Sequence, residues 1–259
     1  MLFTDQLNRT IRLENFPPKR MVSLVPSQTE LLYDLGLENE VVGITKFCIH
    51  PNSWFKTKQR VGGTKSVKLD VIDALKPELI IANKEENEQQ QMEALCEKYP
   101  VYVSNIFNLE DALKMIKDVG EITNTSSKSN ELIKKIHDEF SNLKPLTTTK
   151  TCAYLIWKNP YMACGTETFV NDMLKRVGLK NVFDGRYPEF GIDELKQKNP
   201  EVVLLSSEPY PFKENHIQEL KKNLSNSTIL LVDGELFSWY GSRLLQAPNY
   251  FSKLKNLLE

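Results

Sequence analysis

A segment that occurs twice constrains the fold of this chain more than any other feature. Residues 70–81 run from an acidic residue through a short helical pattern to a proline and an apolar strand, and residues 193–204 repeat that order. The second copy follows the first at a constant distance of 123 positions, since 193 minus 70 (the acids) and 200 minus 77 (the prolines) agree. The sequence therefore predicts two similar halves.

A second pair of segments supports the duplication. Residues 34–39 read Asp-Leu-Gly-Leu-Glu-Asn, and residues 176–181 read Arg-Val-Gly-Leu-Lys-Asn. In both, a glycine after a helical pattern is typical of a helix end, and a short apolar run follows. Because two separate segments recur in the same order, we interpret the chain as a duplicated α/β protein.

The alternation of short β-rich runs with helical patterns predicts an α/β fold with mostly parallel sheets. The expected arrangement is two similar Rossmann-like lobes joined by one long backbone helix. Within residues 127–143, a one-sided apolar stripe predicts that helix. The predicted domains are an N-terminal lobe over residues 1–122, a bridging helix over 123–146 and a C-terminal lobe over 147–259.

Charge and composition exclude several functional classes. The chain has 33 Lys and Arg against 34 Asp and Glu, a formal net charge of -1, so it lacks the basic footprint of a nucleic-acid-binding protein. Its longest apolar runs, such as residues 79–82 and 202–205, are too short to span a bilayer. The GxGxxG, P-loop, GxSxG and HExxH motifs do not occur, so an enzyme is not expected.

Aromatic and polar residues follow several predicted strands. In open α/β sheets, ligands bind beyond the carboxyl ends of the strands, and rigid aromatic surfaces with a few charges suit a large, flat, partly polar ligand. The candidate ligand-binding residues are Lys46, Phe47, Trp54, Phe55, Trp157, Tyr161, Arg186, Tyr187, Glu208, Tyr210, Phe212, Glu235, Trp239, Tyr240 and Arg243.

Metal binding has weaker support in the sequence. Cys48 and His50 are soft ligands two positions apart, but they would need a third ligand from Glu208, His216 or Glu235. His137 is expected to be solvated in the bridging helix, and His216 to precede a helix. Residues 62–65 (Gly-Gly-Thr-Lys) predict a turn rather than a phosphate loop.

Two local predictions concern polar residues after strands. Ser27 and Glu30 have the spacing of a capping box at a helix start. Asn83, Glu85, Glu86 and Asn87 predict a solvated helix start, where acids are favoured by the helix dipole.

Several motifs in order resemble the class III periplasmic substrate-binding proteins of ABC importers. They are residues 19–30 (KRMVSLVPSQTE), 61–63 (VGG) with 75–80 (LKPELI), 165–174 (GTETFVNDML) and 178–183 (GLKNVF). The resemblance covers roughly residues 4–258, and the cobalamin-binding members of this helical-backbone metal-receptor family are the most similar.

The resemblance implies two lobes on a rigid helix, with the ligand held between them. It implies cobalamin or a corrinoid as ligand, with a ferric siderophore or haem as alternatives, and no required cofactor. It also implies a monomer that docks on an ABC permease dimer. The acidic positions that match the family's docking residues are Asp70 and Asp193, both aspartates where the family has glutamates.

Location is predicted from the first residues and the cysteines. No basic and apolar signal segment precedes residue 10, and four scattered cysteines are typical of a reducing compartment, so a cytoplasmic location is expected. A periplasmic or cell-surface location is expected instead if the sequence starts at a mature N-terminus. Two alternatives follow: a cytoplasmic sensor or metal-handling protein on the same scaffold, and a metal-cluster enzyme using Cys48, Cys152 and Cys164.

Overall fold

Parallel strands organise both halves of the computed structural model, which describes residues 1–259. The chain divides into two compact units. Unit 1 comprises Met1–Ile106, Glu110–His137 and Tyr240–Arg243, and unit 2 comprises Phe107–Leu109, Asp138–Trp239 and Leu244–Glu259. The predicted boundaries at residues 122 and 146 stay a prediction.

Helices and strands alternate along the first part of the chain. Its strands are β1 (Leu2–Thr4), β2 (Thr10–Arg12), β3 (Met21–Ser23), β4 (Val41–Ile44), β5 (Gln59–Arg60), β6 (Leu79–Asn83) and β7 (Val101–Ser104). Its helices are α1 (Pro26–Asp34), α2 (Asn52–Thr57), α3 (Leu69–Leu75), α4 (Gln89–Cys96), α5 (Leu109–Ile122) and α6 (Ser126–Asn142).

The second part of the chain continues the same alternation. Its strands are β8 (Lys150–Trp157), β9 (Tyr161–Ala163), β10 (Leu179–Asn181), β11 (Glu189–Phe190), β12 (Val202–Ser206) and β13 (Thr228–Val232). Its helices are α7 (Phe169–Val177), α8 (Ile192–Lys198), α9 (Glu214–Lys221), α10 (Gly234–Ser238) and α11 (Ala247–Leu258), with a 3-10 turn at Ser242–Leu245.

Unit 1 contains a five-stranded parallel sheet in the order β5-β4-β3-β6-β7. In unit 2, β10, β8, β12 and β13 pair in parallel, while β9 and β11 extend the sheet with antiparallel pairs. All residues of β6 and β12 are buried, as expected for parallel strands covered on both faces. The predicted α/β class with mostly parallel sheets is confirmed. Sequence reasoning missed the β1–β2 hairpin.

The internal repeat is confirmed in three dimensions. Helices α3 and α8 and strands β6 and β12 keep the predicted offset, and Lys76 and Asn199 end the two helices in the same left-handed conformation. Strand β6 lies between β3 and β7 in unit 1, and β12 lies between β8 and β13 in unit 2. In the other repeated segment, Gly36 and Gly178 follow α1 and α7 with φ values of 81° and 94°, which favour glycine. The duplication therefore extends to strand order.

One prediction about the helices is confirmed and another is wrong. The helical region after residue 109 is two helices, α5 and α6, and α6 is the predicted long helix, ending one residue before its predicted end. The predicted capping box is wrong: α1 begins at Pro26 after the N-cap residue Val25, with no side-chain cap. The proline imposes the helix start, because its fixed φ suits the first helical turn.

Candidate functional site

Three segments lie at the carboxyl edge of the unit 2 sheet. Residues 157–160 comprise the last residue of β8 and the turn after it. Residues 207–212 follow β12, and residues 233–239, which include α10, follow β13. These three strands are adjacent and parallel, so their carboxyl ends lie side by side. We call this edge, with the side chains described below, the unit 2 strand-end surface.

An aromatic cluster forms one part of that surface. Trp157 is 41% exposed although it ends a strand, and its ring meets Tyr210 edge-on at a centroid distance of 5.7 Å. Tyr210 also packs at 4.7 Å against Phe212, which is buried. An exposed tryptophan that meets a half-buried tyrosine, which itself packs on a buried ring, offers a rigid apolar face to a ligand.

Acidic residues line the neighbouring part. A cavity of about 570 Å³ is bounded by Ser207, Glu208, Leu231, Val232, Asp233 and Glu235. Glu208 is oriented from one side, because its Oε1 accepts hydrogen bonds from the Ser238 hydroxyl at 2.9 Å and from the Trp239 indole N–H at 3.0 Å. Trp239 is itself buried, so its role here is to hold the carboxyl group.

The environment of Glu208 shifts its ionisation. Burial raises the pKa of Glu208 above its ordinary value of 4.5, and the negative charges of Glu235 and Asp233 raise it further, while the hydrogen bonds from Ser238 and Trp239 oppose the shift. Glu208 therefore holds a proton more readily than an exposed glutamate, and the neighbouring negative charges of Glu235 and Asp233 disfavour a ligand anion at this position.

The raised pKa predicts a pH-dependent stability. The folded protein binds the Glu208 proton more tightly than the unfolded chain, so stability falls as pH rises from the ordinary pKa through the raised one. We expect Glu208→Gln to lack this fall, so that its free energy of unfolding increases relative to that of the unaltered protein as pH rises above 4.5. Urea denaturation at several pH values measures the difference. A difference that stays constant as pH rises would contradict it.

The loop after β4 carries the candidate residues of unit 1. Lys46 and Phe47 are exposed, and the Lys46 ammonium lies 4.9 Å from the centre of the Phe47 ring. A side chain at Gly63 would come within 3.3 Å of both, so glycine leaves room for them. Residues 62–65 form the predicted turn, closed by hydrogen bonds between Gly63 and Ser66.

Trp54 and Phe55 lie differently from the other candidates. Trp54 is fully buried and meets Tyr33 edge-on at 5.4 Å, so in this structure it presents no surface on which a ligand could stack. Phe55 is half-buried beneath the Arg60 guanidinium, 4.4 Å from its ring centre. Both lie on the short helix α2, of which Trp54 is the buried residue.

The remaining candidates of unit 2 are dispersed around its sheet. Tyr161 stacks on Phe190 at 6.0 Å, and the Arg186 guanidinium lies 5.1 Å from the Phe107 ring. Tyr187 is exposed, as Trp157 is. The structure thus brings Trp157, Glu208, Tyr210, Phe212, Glu235 and Trp239 together at the strand ends.

Arg243 is engaged by a carboxylate instead of being presented to solvent. Its guanidinium donates two hydrogen bonds to Glu30, at 2.8 and 2.7 Å, and the two side chains are only 12% and 15% exposed. Tyr240, three positions before Arg243, is buried as well. Residues 240–243 belong to unit 1. Glu30, predicted to cap a helix, is instead an ion-pair partner.

The environment of Cys48 disfavours metal coordination. The sulfur is buried and contacts the hydroxyls of Thr29 and Thr45, each at 3.1 Å. Burial raises the pKa of the Cys48 thiol and so disfavours the thiolate that binds metals. Burial likewise raises the pKa of Cys152 to about 12. No group of three or more His, Cys, Asp or Glu side chains is arranged to hold a metal ion.

Sequence reasoning missed a buried polar network in unit 1. Asn83 and Asn87 were predicted on a solvated loop, but both are buried. The Asn83 amide donates to Ser104, and its carbonyl accepts from the backbone of Glu85 and Glu86. Asn87 donates to the carbonyls of Leu24 and Thr64, so it ties three loops together. An asparagine at the end of an otherwise apolar strand was the available signal.

The two remaining histidines also differ in placement. His137 is exposed on α6, as predicted. His216 does not precede a helix, because it is the third residue of α9, and it is buried.

The parallel sheets and the strand-end surface are typical of a class of α/β proteins that bind ligands beyond the carboxyl ends of their strands. The family model described as "Periplasmic binding protein" matches residues 21–227. The chain therefore belongs to the periplasmic binding protein family.

Known proteins resemble the chain over most of its length. A vitamin B12-binding protein of Vibrio parahaemolyticus is 26% identical over 204 residues, covering 76% of this chain and 74% of that protein. An uncharacterised ABC transporter substrate-binding lipoprotein of Bacillus subtilis is 26% identical over 189 residues, covering 68% of this chain and 59% of that protein. The periplasmic haem-binding protein of Roseiflexus sp. RS-1 has the same fold, with a TM-score of 0.79, 18% identity and coverage of 92% and 97%.

Family membership does not support the predicted cytoplasmic location. The matching family is one of periplasmic binding proteins, and a relative is a lipoprotein. The first residues do not decide the location, because a secretory signal segment is removed from a mature protein. Among the helices, none combines the length and the apolar character that crossing a membrane requires.

Proposed function

We propose that this chain is the substrate-binding protein of an ABC importer and that it binds a metal chelate, with cobalamin or another corrinoid as the first candidate. It acts as a monomer outside the cytoplasm, in the periplasm or at the cell surface, and catalyses no reaction. The observation that carries the proposal is the unit 2 strand-end surface, where exposed Trp157 and the oriented carboxyl of Glu208 lie at the ends of two adjacent strands, β8 and β12.

The chemistry of that surface suits a corrinoid. A flat apolar macrocycle can stack on Trp157 and Tyr210, and amide N–H groups at its rim can donate to Glu208. The negative charges of Asp233 and Glu235 near Glu208 disfavour a ligand whose rim carries carboxylates. The name of the Vibrio parahaemolyticus relative supports the same ligand class.

A ligand screen tests the proposal. We expect cyanocobalamin or dicyanocobinamide to raise the melting temperature, because a ligand that binds only the folded state stabilises it. Haemin and a ferric hydroxamate siderophore serve as the competing chelates, and metal-free flavin as a flat control. If no chelate shifts the melting temperature at high micromolar concentration, the proposal is wrong.

The proposed permease contacts are Asp70 and Asp193. Each lies in the first turn of its helix, α3 or α8, and both side chains point outward, that of Asp193 being 86% exposed. The internal repeat places them at equivalent positions of the two units. Two matched, exposed acids are suited to two equivalent basic sites on a permease dimer.

Charge reversal at both positions is expected to abolish uptake without affecting ligand binding. Asp70→Arg with Asp193→Arg would oppose two basic permease sites, and like charges at an interface cost several kcal/mol. Uptake of labelled ligand by cells or proteoliposomes that contain the cognate permease is the measurement. Glu194→Arg, at the exposed neighbouring position, is the matched control. Unchanged uptake by the double variant would contradict these docking residues.

A further inference from the structure

A buried histidine supports the aromatic cluster from behind. His216 packs edge-on against Tyr210 and Phe212, with ring centroids 5.5 and 5.4 Å away. Its Nε2 lies 3.3 Å from the Tyr210 hydroxyl, and its Nδ1 accepts the backbone N–H of Lys213 at 2.8 Å. His216 therefore contacts both the ring that faces Trp157 and the backbone of the loop that carries it.

These hydrogen bonds require a neutral imidazole. Because Nδ1 accepts the N–H of Lys213, it carries no proton, and the ring proton lies on Nε2, from which it is donated to the Tyr210 hydroxyl. A second proton on Nδ1 would point at the N–H of Lys213. Protonation thus replaces a hydrogen bond by a donor–donor contact and weakens the attachment of residues 210–213 to α9.

The charged groups around His216 are few. Glu219 follows it by three residues on α9, pairs with Lys158 at 2.5 Å and lies 3.5 Å from the Tyr161 hydroxyl. Lys213 and Glu214 flank it on the chain, and Glu208 lies at the start of its loop.

We propose that His216 is a positioning residue that holds Tyr210 against Trp157 while its ring is neutral and releases Tyr210 when protonated, so that ligand affinity falls as pH falls. Histidine is the side chain that titrates within about pH 5 to 8. The inference rests on the proposed function in one respect, that Trp157 and Tyr210 contact the ligand. The pH-dependent release itself is a property of the ligand-free protein.

Calorimetric titration with cyanocobalamin at pH 7.5 and pH 5.5 tests the effect on binding. We expect about tenfold weaker binding at pH 5.5, the equivalent of one hydrogen bond. His216→Gln, whose amide can accept from Lys213 without titrating, should bind with little change between the two pH values. His137→Gln, at the exposed histidine, should keep the tenfold loss. Equal affinity of the unaltered protein at both pH values, or a retained loss in His216→Gln, would overturn the inference.

A second measurement needs neither ligand nor variant. In a heteronuclear NMR titration of the ligand-free protein, the Trp157 indole signal should shift with the same midpoint as the His216 imidazole. A Trp157 signal that stays constant while His216 titrates would refute the release of Tyr210. If no chelate binds at all, the proposed function fails, and this titration still decides whether His216 controls Tyr210.

Discussion

Replacing Glu30 with alanine is expected to lower the free energy of unfolding by about 3 kcal/mol, because it removes the bidentate carboxylate partner of the mostly buried Arg243 guanidinium. The pair is bidentate and both side chains are mostly buried. Asp34 is a poor substitute partner, because burial raises its pKa and so disfavours its charged form. Thermal and urea denaturation measure the loss.

A double variant separates the ion pair from simple packing. Glu30→Met with Arg243→Met removes both charges and keeps most of the volume, so it should recover most of the stability lost by Glu30→Ala. Residues 240–243 would then be held in unit 1 by packing alone. This packing is close at Gly241, where a Cβ atom would lie 2.9 Å from the Ser27 carbonyl oxygen. A loss below about 1 kcal/mol for Glu30→Ala, the value of an exposed pair, would contradict the account.

Replacing Trp157 with alanine is expected to weaken chelate binding about thirtyfold, or about 2 kcal/mol, with little change in stability. The ring is partly exposed and makes its edge-on contact with Tyr210 at the strand-end surface, so its removal costs ligand contact area more than core packing. Titration calorimetry with cyanocobalamin gives the change in affinity, and circular dichroism gives the change in stability.

Two controls accompany the Trp157 variant. Trp157→Phe keeps an aromatic face and should lose no more than about fivefold. Leu257→Ala removes another exposed apolar side chain of unit 2, on α11, and should leave affinity unchanged. Affinity unchanged in Trp157→Ala would mean that the ligand does not contact this part of the unit 2 strand-end surface.

Features that repeat or alternate could be predicted from the sequence. The constant offset between residues 70–81 and 193–204 predicted two equivalent helices and strands, and apolar runs such as 202–205 predicted buried parallel strands, because local pattern determines both. The loops after β8 and β12 could be placed at one sheet edge for the same reason: parallel strands bring their carboxyl ends together.

Tertiary contacts between distant residues could not be predicted. Trp54 is an aromatic residue of the type expected in a ligand-binding loop, yet it is buried and packs against Tyr33. Glu30 and Arg243 are separated by 213 positions, and no local pattern pairs them. The burial of Asn83 and Asn87 depends on partners from three other loops, so their polarity alone suggested solvent.

The most direct test of the central claim is the dissociation constant of cyanocobalamin for the unaltered protein, measured by titration calorimetry at pH 7.5. We expect a single site with a dissociation constant of about 1 µM or tighter, together with the weakened binding of Trp157→Ala. No heat of binding for cyanocobalamin or for any competing chelate, with the protein folded, would contradict the claim that this chain is a metal-chelate-binding protein.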